Sequence, residues 1–273
     1  MNPVVVAVAP NGARRTKADH PNLPLSPEEL AADAVRCRDA GATLLHMHVR
    51  DEGGGHSLDP ERYRAAMEVV RRAVGSSMVI QITTEAVGVY TPEEQMRVVR
   101  EVRPEAVSLG LRELAGEDIE PLALAEFLEW MRQERIAPQY ILYSPSDVGT
   151  FHELRRRGII PQRTPVALFV LGRYTAPTEI RPRDVLPYLK AHDLDCPWAL
   201  CAFGVRETAC VLTAAGLGGH VRVGFENNLW LADGRTAATN ADLVEQVCRA
   251  APLLGRPLAD ITETRALLAE TAD

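Results

Sequence analysis

The sequence predicts a (β/α)₈ barrel, the TIM barrel fold, and three observations support this prediction. Eight short apolar runs recur at a steady spacing, and most are continuous rather than alternating in hydrophobicity. Such runs are typical of parallel strands that are buried on both faces. A helix-like segment follows each run, and alternating strands and helices favour a parallel sheet. Eight units are the number that closes a TIM barrel, so we expect residues 1–273 to form one domain.

The apolar runs define the predicted strands. They occupy residues 4–9, 43–49, 78–83, 106–111, 139–144, 166–171, 197–203 and 220–225. An open doubly wound sheet is the alternative architecture, but the GxGxxG motif of its dinucleotide-binding members does not follow the first run. We therefore expect the sheet to close.

Capping signals mark the first three helices. Ser26, Asp59 and Thr91 each precede a proline at the first helical position. Ser26 and Thr91 also have a glutamate three residues later, which completes a capping box. Gly41 lies where a left-handed residue ends the first helix. Further helices are predicted at 118–134, 146–157, 181–191, 206–216 and 239–251.

The composition argues against several classes of protein. The net charge of -7 and the sequence pI of about 5.6 do not suit a nucleic-acid binder. The five cysteines form no CxxC pair, which favours a reducing cytosol over disulfides or a structural zinc knot. The N-terminus lacks the basic region of a signal peptide, and no apolar run is long enough to span a membrane. We expect a soluble cytoplasmic protein.

The second strand carries two histidines, in the stretch TLLHMHVRD. His46 and His48 lie at the carboxyl end of that strand, where TIM barrels place their active sites. Residues two apart on a strand point to the same face, so both rings can converge on one metal ion. Two buried histidines bound to backbone groups are the alternative. Arg50 and Asp51, which follow, are expected to orient the metal ligands.

A third ligand is expected from the eighth strand. Glu226 follows that apolar run and shares its parity with Arg222. An inward arginine and an inward glutamate at the end of a core strand are costly unless each is paired or ligated. Two histidines and one carboxylate leave a coordination position open, as catalytic zinc sites do, although iron or manganese suits the same ligands. His220, at the start of the strand, is expected to be structural.

Polar residues also end the other strands. They include Thr83, Thr84 and Glu85 after the third strand, Ser108, Arg112 and Glu113 around the end of the fourth, Arg173 after the sixth, and Arg14, Arg15 and Lys17 after the first. The basic residues suit a carboxylate or phosphate. The remaining histidines, His20, His56, His152 and His192, are expected at the surface.

The chain resembles the β-keto acid cleavage enzymes, a family that includes the 3-keto-5-aminohexanoate cleavage enzyme. The resemblance runs from about residue 3 to 255, and its most specific parts are HxHxRD after strand 2 and RVGxE after strand 8. It implies a TIM barrel with one zinc ion per subunit, bound by His46, His48 and Glu226. It also implies a homo-oligomer, a tetramer or dimer, and acetyl-CoA as co-substrate. The reaction would convert a β-keto acid and acetyl-CoA into acetoacetate and a new acyl-CoA.

The sequence departs from the family pattern next to the third ligand. Well-known members have an aspartate where this chain has Asn227, and that aspartate works with the residue that matches Arg222. Asparagine has no basic carboxylate. We hypothesise that Glu85, where the family commonly has glycine, supplies the base, so the candidate catalytic residues are Arg222, Glu85, Asn227 and Thr84.

A second departure concerns the substrate tail. Members that use amino-bearing substrates have an acidic residue near the loop after strand 1, whereas this chain has GARRT. We therefore predict a tail that is not cationic. The candidate substrate-binding residues are Arg14, Thr83, Ser108, Glu113 and Arg50.

Two other functions compete with this interpretation. A zinc hydrolase of the amidohydrolase type also uses HxH in a barrel, but on the first strand and with further histidines after strands 5 and 6, which this chain lacks. A catalytically weakened metal-dependent protein that binds a keto acid or CoA ester is the other alternative, and Asn227 favours it. A barrel without metal leaves Arg222 and Glu226 unexplained.

Overall fold

The computed structural model describes residues 2–115, 120–173, 179–193 and 195–269. Eight parallel strands form a closed barrel in chain order, which confirms the predicted TIM barrel. The strands are Val6–Val8, Leu44–Met47, Val79–Thr83, Ala106–Gly110, Ala137–Leu142, Val166–Leu171, Trp198–Ala202 and His220–Val223. The first strand closes the ring, because it pairs with both the second and the eighth.

Helices surround the barrel, close to the predicted positions. The α-helices are Pro27–Asp39, Pro60–Val74, Pro92–Val102, Leu111–Leu114, Pro121–Gln133, Pro145–Arg156, Leu186–Ala191, Glu207–Gly216, Asn240–Ala250 and Ile261–Ala269. Short 3₁₀ helices span Pro182–Val185 and Ala251–Leu254. The helices Leu111–Leu114 and Ile261–Ala269 were not predicted. Of the predicted helix 118–134, residues 118 and 119 lie outside the described residues.

The predicted caps are present at the first three helices. The Ser26 and Thr91 side chains each accept the backbone N–H of the glutamate three residues later, and that glutamate binds back. Asp59 accepts from the N–H groups of Glu61 and Arg62. Each cap satisfies donors that the first helical turn leaves without a partner.

The segment after the second strand forms a two-stranded ribbon. Val49–Arg50 pairs antiparallel with His56–Ser57, so the chain returns beside the strand that it has just left. The three intervening glycines allow the tight reversal, and Gly54 adopts a left-handed φ of 81°. The ribbon brings His56 back to the barrel mouth.

Apolar side chains pack between the barrel and the helices, whereas the upper interior of the barrel is polar. His46, Gln81, Gln139 and Arg222 lie on barrel strands and are almost fully buried. A hydrogen bond joins Gln81 on the third strand to Gln139 on the fifth, across the interior. Buried polar groups are costly unless they are hydrogen-bonded, and this bond offsets part of that cost.

Gly224 allows the first and eighth strands to approach closely at the mouth. Its φ is 136°, and a Cβ at this position would lie 2.4 Å from the carbonyl oxygen of Ala9. That oxygen accepts a hydrogen bond from the N–H of Glu226 at 3.0 Å. A side chain at position 224 would push the strands apart and move Glu226, which explains the glycine in RVGxE.

None of the helices in the described part of the chain is both long and apolar enough to cross a membrane.

His220 is expected to make the fold sensitive to acid. Its Nδ1 accepts a hydrogen bond from the N–H of Val5 at 3.0 Å, and burial, followed by the charge of Arg256, lowers its pKa from 6.5 to about 4. A lowered pKa gives stability that is present above pH 6.5 and is lost as the pH falls toward 4. Asparagine keeps an acceptor here without titrating. In urea unfolding experiments, the free energy of unfolding of the wild type should fall by up to ~3 kcal/mol more than that of His220→Asn as the pH is lowered over this range. Parallel pH profiles would contradict this role.

Candidate metal centre and active site

His46, His48 and Glu226 meet at the mouth of the barrel, as the sequence predicted. The Nε2 atoms of the two histidines are 3.1 Å apart. The Oε2 atom of Glu226 lies 3.4 Å from His46 Nε2 and 3.2 Å from His48 Nε2. Within the part of the chain that the structure describes, this is the only group of His, Cys, Asp and Glu side chains with the geometry for a metal ion.

The spacing of these three atoms fits a tetrahedral metal site. Ligands bound at about 2.0–2.1 Å with tetrahedral angles are separated by about 3.3–3.4 Å. The observed separations of 3.1, 3.2 and 3.4 Å lie close to this value. Two imidazoles and one carboxylate are also the ligand types of catalytic zinc sites with an open position. The residues therefore fit a divalent metal ion.

Gln81 fixes the orientation of His46. The Nδ1 atom of His46 lies 2.9 Å from Gln81 Oε1, and the Gln81 amide donates to Gln139 Oε1. Because an amide oxygen only accepts, Nδ1 of His46 carries the hydrogen and Nε2 presents its lone pair. Neither glutamine was singled out from the sequence, since each lies inside an apolar strand.

His56 fixes the orientation of His48 in the same way. Its Nε2 lies 2.9 Å from the backbone oxygen of Glu85, so that nitrogen donates. Its Nδ1 faces the Nδ1 of His48 at 3.4 Å and accepts from it. His48 Nε2 is then left with its lone pair toward Glu226. The expectation that His56 is a surface residue is wrong, and it is also wrong for His20 and His192, which are buried.

The charges around the ligands favour cation binding. Burial lowers the pKa of His48 well below 6.5, so the ring is neutral and can act as a ligand. Burial alone would raise the pKa of Glu226. Arg222, followed by His46 and His48, nevertheless holds that pKa well below its usual value. Three electron-pair donors at this spacing repel one another unless a cation lies among them.

Arg222 connects Glu226 to Asn227. Its Nη2 donates to Glu226 Oε1 at 2.9 Å and to Asn227 Oδ1 at 3.4 Å. Asn227 is fully buried. The asparagine therefore occupies the place beside Arg222 that the resemblance assigns to an aspartate, and it offers an amide oxygen there instead of a charge.

A buried glutamate that the sequence did not reveal supports this segment from behind. Glu207 accepts hydrogen bonds from the N–H of Gly224 at 3.3 Å and from the amide of Asn228 at 3.1 Å. Burial raises its pKa to about 8. Glu207 begins a helix, and such a position ordinarily indicates a helix-dipole contact and not a buried support.

A cleft of about 350 Å³ opens above the metal ligands. Several predicted site residues line it together with His46 and Glu226, namely Arg14, Thr83, Glu85, Glu113 and Arg222. Arg112, Tyr143 and Arg173 line it as well. The cleft therefore joins the candidate metal site to both basic and acidic side chains.

Five predicted site residues lie outside the lining of this cleft, namely His48 and Asn227, described above, and Thr84, Ser108 and Arg50. Thr84 is fully buried, and its hydroxyl lies 3.5 Å from the carbonyl oxygen of Ser108. Ser108 is also fully buried, on the fourth strand. Arg50 binds the carbonyl oxygens of Gly12 and Arg15, so it holds the loop after the first strand.

Two further expectations about the loops need qualification. Asp51 accepts from the N–H of Gly55 at 2.8 Å and so shapes its own ribbon turn. Lys17 pairs with Glu29 at 2.7 Å on the surface, away from the cleft lining. Of the basic loop after the first strand, Arg14 is the residue that lines the cleft.

Glu85 lies at the junction of the metal ligands and the cleft. Its Oε2 is 4.0 Å from His48 Nδ1. Burial, followed by the charges of Glu226 and Glu113, raises its pKa to about 7. Glu113 accepts from the N–H of Ala86 at 3.1 Å and so anchors the loop that carries Glu85. A carboxyl group with a pKa near neutrality is suited to proton transfer.

The sequence of the whole barrel matches a known family. The family model described as beta-keto acid cleavage enzyme matches residues 3–269. The chain belongs to the β-keto acid cleavage enzyme family. A member from Acetoanaerobium sticklandii, the 3-keto-5-aminohexanoate cleavage enzyme, is 30% identical over 274 residues, which are 98% of each chain.

The names of other relatives specify different keto acids. The 3-oxoadipate:acetyl-CoA acetyltransferase of Cupriavidus necator is 27% identical over 97% of this chain and 94% of its own. Among solved structures, apo ObcA superposes with a TM-score of 0.72 at 16% identity. That likeness covers 91% of this chain but 65% of ObcA, and it shows the barrel fold alone.

The first test of the site is metal content. The purified protein should contain about one divalent metal per chain, and His46→Ala should lose it because two ligands remain. Elemental analysis measures both. His152→Ala, on the helix Pro145–Arg156, is the matched control and should keep the metal. A metal-free wild type, or an unchanged metal content in His46→Ala, would refute the site.

The second test concerns the residue that orients His48. Since His56 holds the Nδ1 hydrogen of His48, His56→Ala should weaken metal binding roughly 10–100-fold. His56→Asn keeps an acceptor and should fall between that variant and the wild type. Competition with a chelating dye gives the dissociation constants. An affinity for metal equal to that of the wild type in His56→Ala would show that the ring only fills space.

Proposed function

We propose that this family member is a metal-dependent β-keto acid cleavage enzyme that converts a β-keto acid and acetyl-CoA into acetoacetate and a new acyl-CoA. The observation that carries the proposal is the convergence of His46, His48 and Glu226 at one edge of a cleft. Family membership supports the reaction class, and the acetyl-CoA transferases among the relatives support the co-substrate.

A bound metal would act there as a Lewis acid on the keto group of the substrate. The residues of the chain contribute binding and proton transfer. Arg222, buried beside the ligands, provides fixed positive charge next to the reacting carbons. The carbons of both substrates are conserved in the overall exchange, because the two-carbon acid unit of the keto acid passes to the acetyl group and the remaining acyl group passes to CoA.

Glu85 is our candidate for the base that removes a proton from the carbon between the keto and acid groups. It supplies the carboxylate that Asn227 lacks, and it lines the same cleft as His46 and Glu226. His56, which contacts the metal ligand His48, also donates to the backbone oxygen of Glu85 and so restrains the position of this residue. Thr83 accepts the N–H of Glu85 and adds a second restraint.

The substrate tail is proposed not to be cationic. The names of two relatives specify keto acids with different tails, one with an amino group and one with a second acid group. Family membership therefore does not determine the charge of the tail. Arg14 supports a tail without positive charge, because it lines the cleft. Thr83 and Glu113 also line it and remain proposed substrate contacts, whereas Ser108 and Arg50 would act from behind.

The proposal also includes one zinc ion per chain, a homo-oligomeric assembly and a cytoplasmic location. Zinc is supported by the ligand types and their spacing. A reducing compartment is supported by five free, buried cysteines. Exposed apolar side chains at Val205 and Leu186 offer surface for a second copy.

The two alternatives make different demands. A hydrolase of the amidohydrolase type needs further histidine ligands, and the metal cluster in the described residues contains His46, His48 and Glu226 alone. A weakened binding protein would bind a keto acid or CoA ester without turnover. The expected steady turnover of a β-keto acid with acetyl-CoA distinguishes our proposal from both.

The decisive variant is Glu85→Gln. Removing the base should lower kcat by roughly 10²–10⁴-fold while the Km for the keto acid changes little. Glu52→Gln, in the exposed ribbon turn, is the matched control and should leave both constants unchanged. Steady-state assays of acyl-CoA formation measure the effect. An unaffected rate in Glu85→Gln would exclude Glu85 as the base.

A rescue experiment tests the link to Asn227. The double variant Glu85→Gln with Asn227→Asp restores a carboxylate beside Arg222, at the position where the amide oxygen now lies 3.4 Å away. We expect it to regain part of the lost kcat. A double variant no more active than Glu85→Gln would show that the two positions do not exchange roles.

A further inference from the structure

The wall of the cleft that faces the metal ligands carries two arginines. His46 and His48 lie on the second strand and Glu226 follows the eighth, so the ligands occupy one side of the mouth. In a ring of eight strands in chain order, the fourth lies across from the eighth and the sixth lies across from the second. Arg112 follows the fourth strand and Arg173 follows the sixth, and both line the cleft.

Arg112 rests on a rigid aromatic ring. Its guanidinium carbon lies 3.9 Å from the centre of the Tyr143 ring. The backbone of Tyr143 is held on both sides, since its N–H donates to Asp147 Oδ2 and its carbonyl oxygen accepts from the Tyr188 hydroxyl, both at 2.8 Å. A stacked guanidinium keeps its N–H edge available for bidentate binding of a carboxylate. Arg112 is therefore preorganised for an anion.

Two of the three glutamates that line the cleft, Glu226 and Glu113, have partners other than Arg112 and Arg173. Glu226 pairs with Arg222 at 2.9 Å, and Glu113 accepts from the backbone of Ala86. The charge of Arg112 reaches Glu113, but burial still raises the pKa of that carboxyl group. Within the described ranges, neither Arg112 nor Arg173 forms an ion pair. Both guanidinium groups are thus available to a ligand.

We propose that Arg112 and Arg173 bind an anionic group at the far end of the substrate, so that the keto acid cleaved here carries a second carboxylate. The inference rests on the proposed function, because it places the keto acid group at the metal ligands. A cleft of about 350 Å³ with the ligand set on one wall and two cations on the other fits a molecule that is charged at both ends. Arg14 adds a third cation to the rim.

Coenzyme A offers a second source of the same chemistry. Its phosphate groups also bind arginine in a bidentate manner, and acetyl-CoA must enter the same barrel mouth. The two sources differ in which substrate binds more weakly when an arginine is removed. If the arginines bind a carboxylate of the keto acid, their removal raises the Km for that keto acid. If they bind a phosphate of CoA, their removal raises the Km for acetyl-CoA with either keto acid.

The experiment compares 3-oxoadipate with 3-oxohexanoate, which have the same chain length and differ by the terminal carboxylate. Arg112→Gln and Arg173→Gln should each raise the Km for 3-oxoadipate on the order of 10-fold or more. The Km values for 3-oxohexanoate and for acetyl-CoA should stay within about twofold. Arg100→Gln is the matched control, since Arg100 stacks on the Trp130 ring at 4.8 Å on an outer helix.

Three outcomes would overturn the inference. A raised Km for acetyl-CoA with both keto acids would assign the arginines to the phosphates of CoA. Equal use of both keto acids by the wild type, or a preference for an amino-bearing keto acid, would show that the far wall does not select an anion. An unchanged Km for 3-oxoadipate in both variants would exclude these two side chains.

Failure of the proposed function gives a different result. In that case the wild type turns over neither keto acid, and calorimetry on the metal-loaded protein decides the inference. Tighter binding of 3-oxoadipate than of 3-oxohexanoate, weakened by Arg112→Gln and not by Arg100→Gln, supports the anion site. Equal binding of the two acids overturns it.

Discussion

The ion pair between Arg222 and Glu226 is the constraint on which the mouth of this barrel depends. Both side chains are almost fully buried, and their charged atoms lie 2.9 Å apart. Burying two charges is costly, and the attraction between them seldom exceeds that cost by much. The pair is therefore poorly explained as a source of stability. It is well explained as a device that keeps Glu226 ionised and presents its second oxygen to His46 and His48.

Four neighbouring residues support that arrangement. Gly224 lets the eighth strand approach the first, so that the backbone of Glu226 is tied to Ala9. Glu207 holds the N–H of Gly224 from the other side. Gln81 and His56 set the hydrogens of the two imidazoles. A buried polar network of this kind specifies one arrangement when all its members are bonded, and loses that specificity when one is removed.

The sequence predicted the parts of the site that follow from strand parity. His46 and His48 are two residues apart on one strand, and Glu226 shares the parity of Arg222, so their convergence followed once eight strands were recognised. The eight strands themselves followed from continuous apolar runs. The ribbon that returns His56 was not predictable, because it depends on pairing between two segments of two residues each. Gln81 and Gln139 were missed because polar residues within apolar runs carry no periodic signal. Thr84 and Ser108 illustrate the remaining difficulty, since whether a residue at a strand end faces a cleft or its neighbour depends on local twist.

The charge pattern around the mouth links the departure at Asn227 to the proposed role of Glu85. An aspartate beside Arg222 would share the guanidinium with Glu226, and the positive charge of Arg222 would be divided between two carboxylates. With Asn227, Arg222 faces one carboxylate, and Glu226 keeps the full benefit of that charge. A base placed there would also have its pKa lowered by Arg222. Glu85 lies instead after the third strand, where burial and the charges of Glu226 and Glu113 raise its pKa to about 7. In the proposed mechanism, a carboxylate beside Arg222 is thus replaced by Glu85, whose pKa is raised by burial, Glu226 and Glu113 more than it is lowered by Arg14 and Arg222.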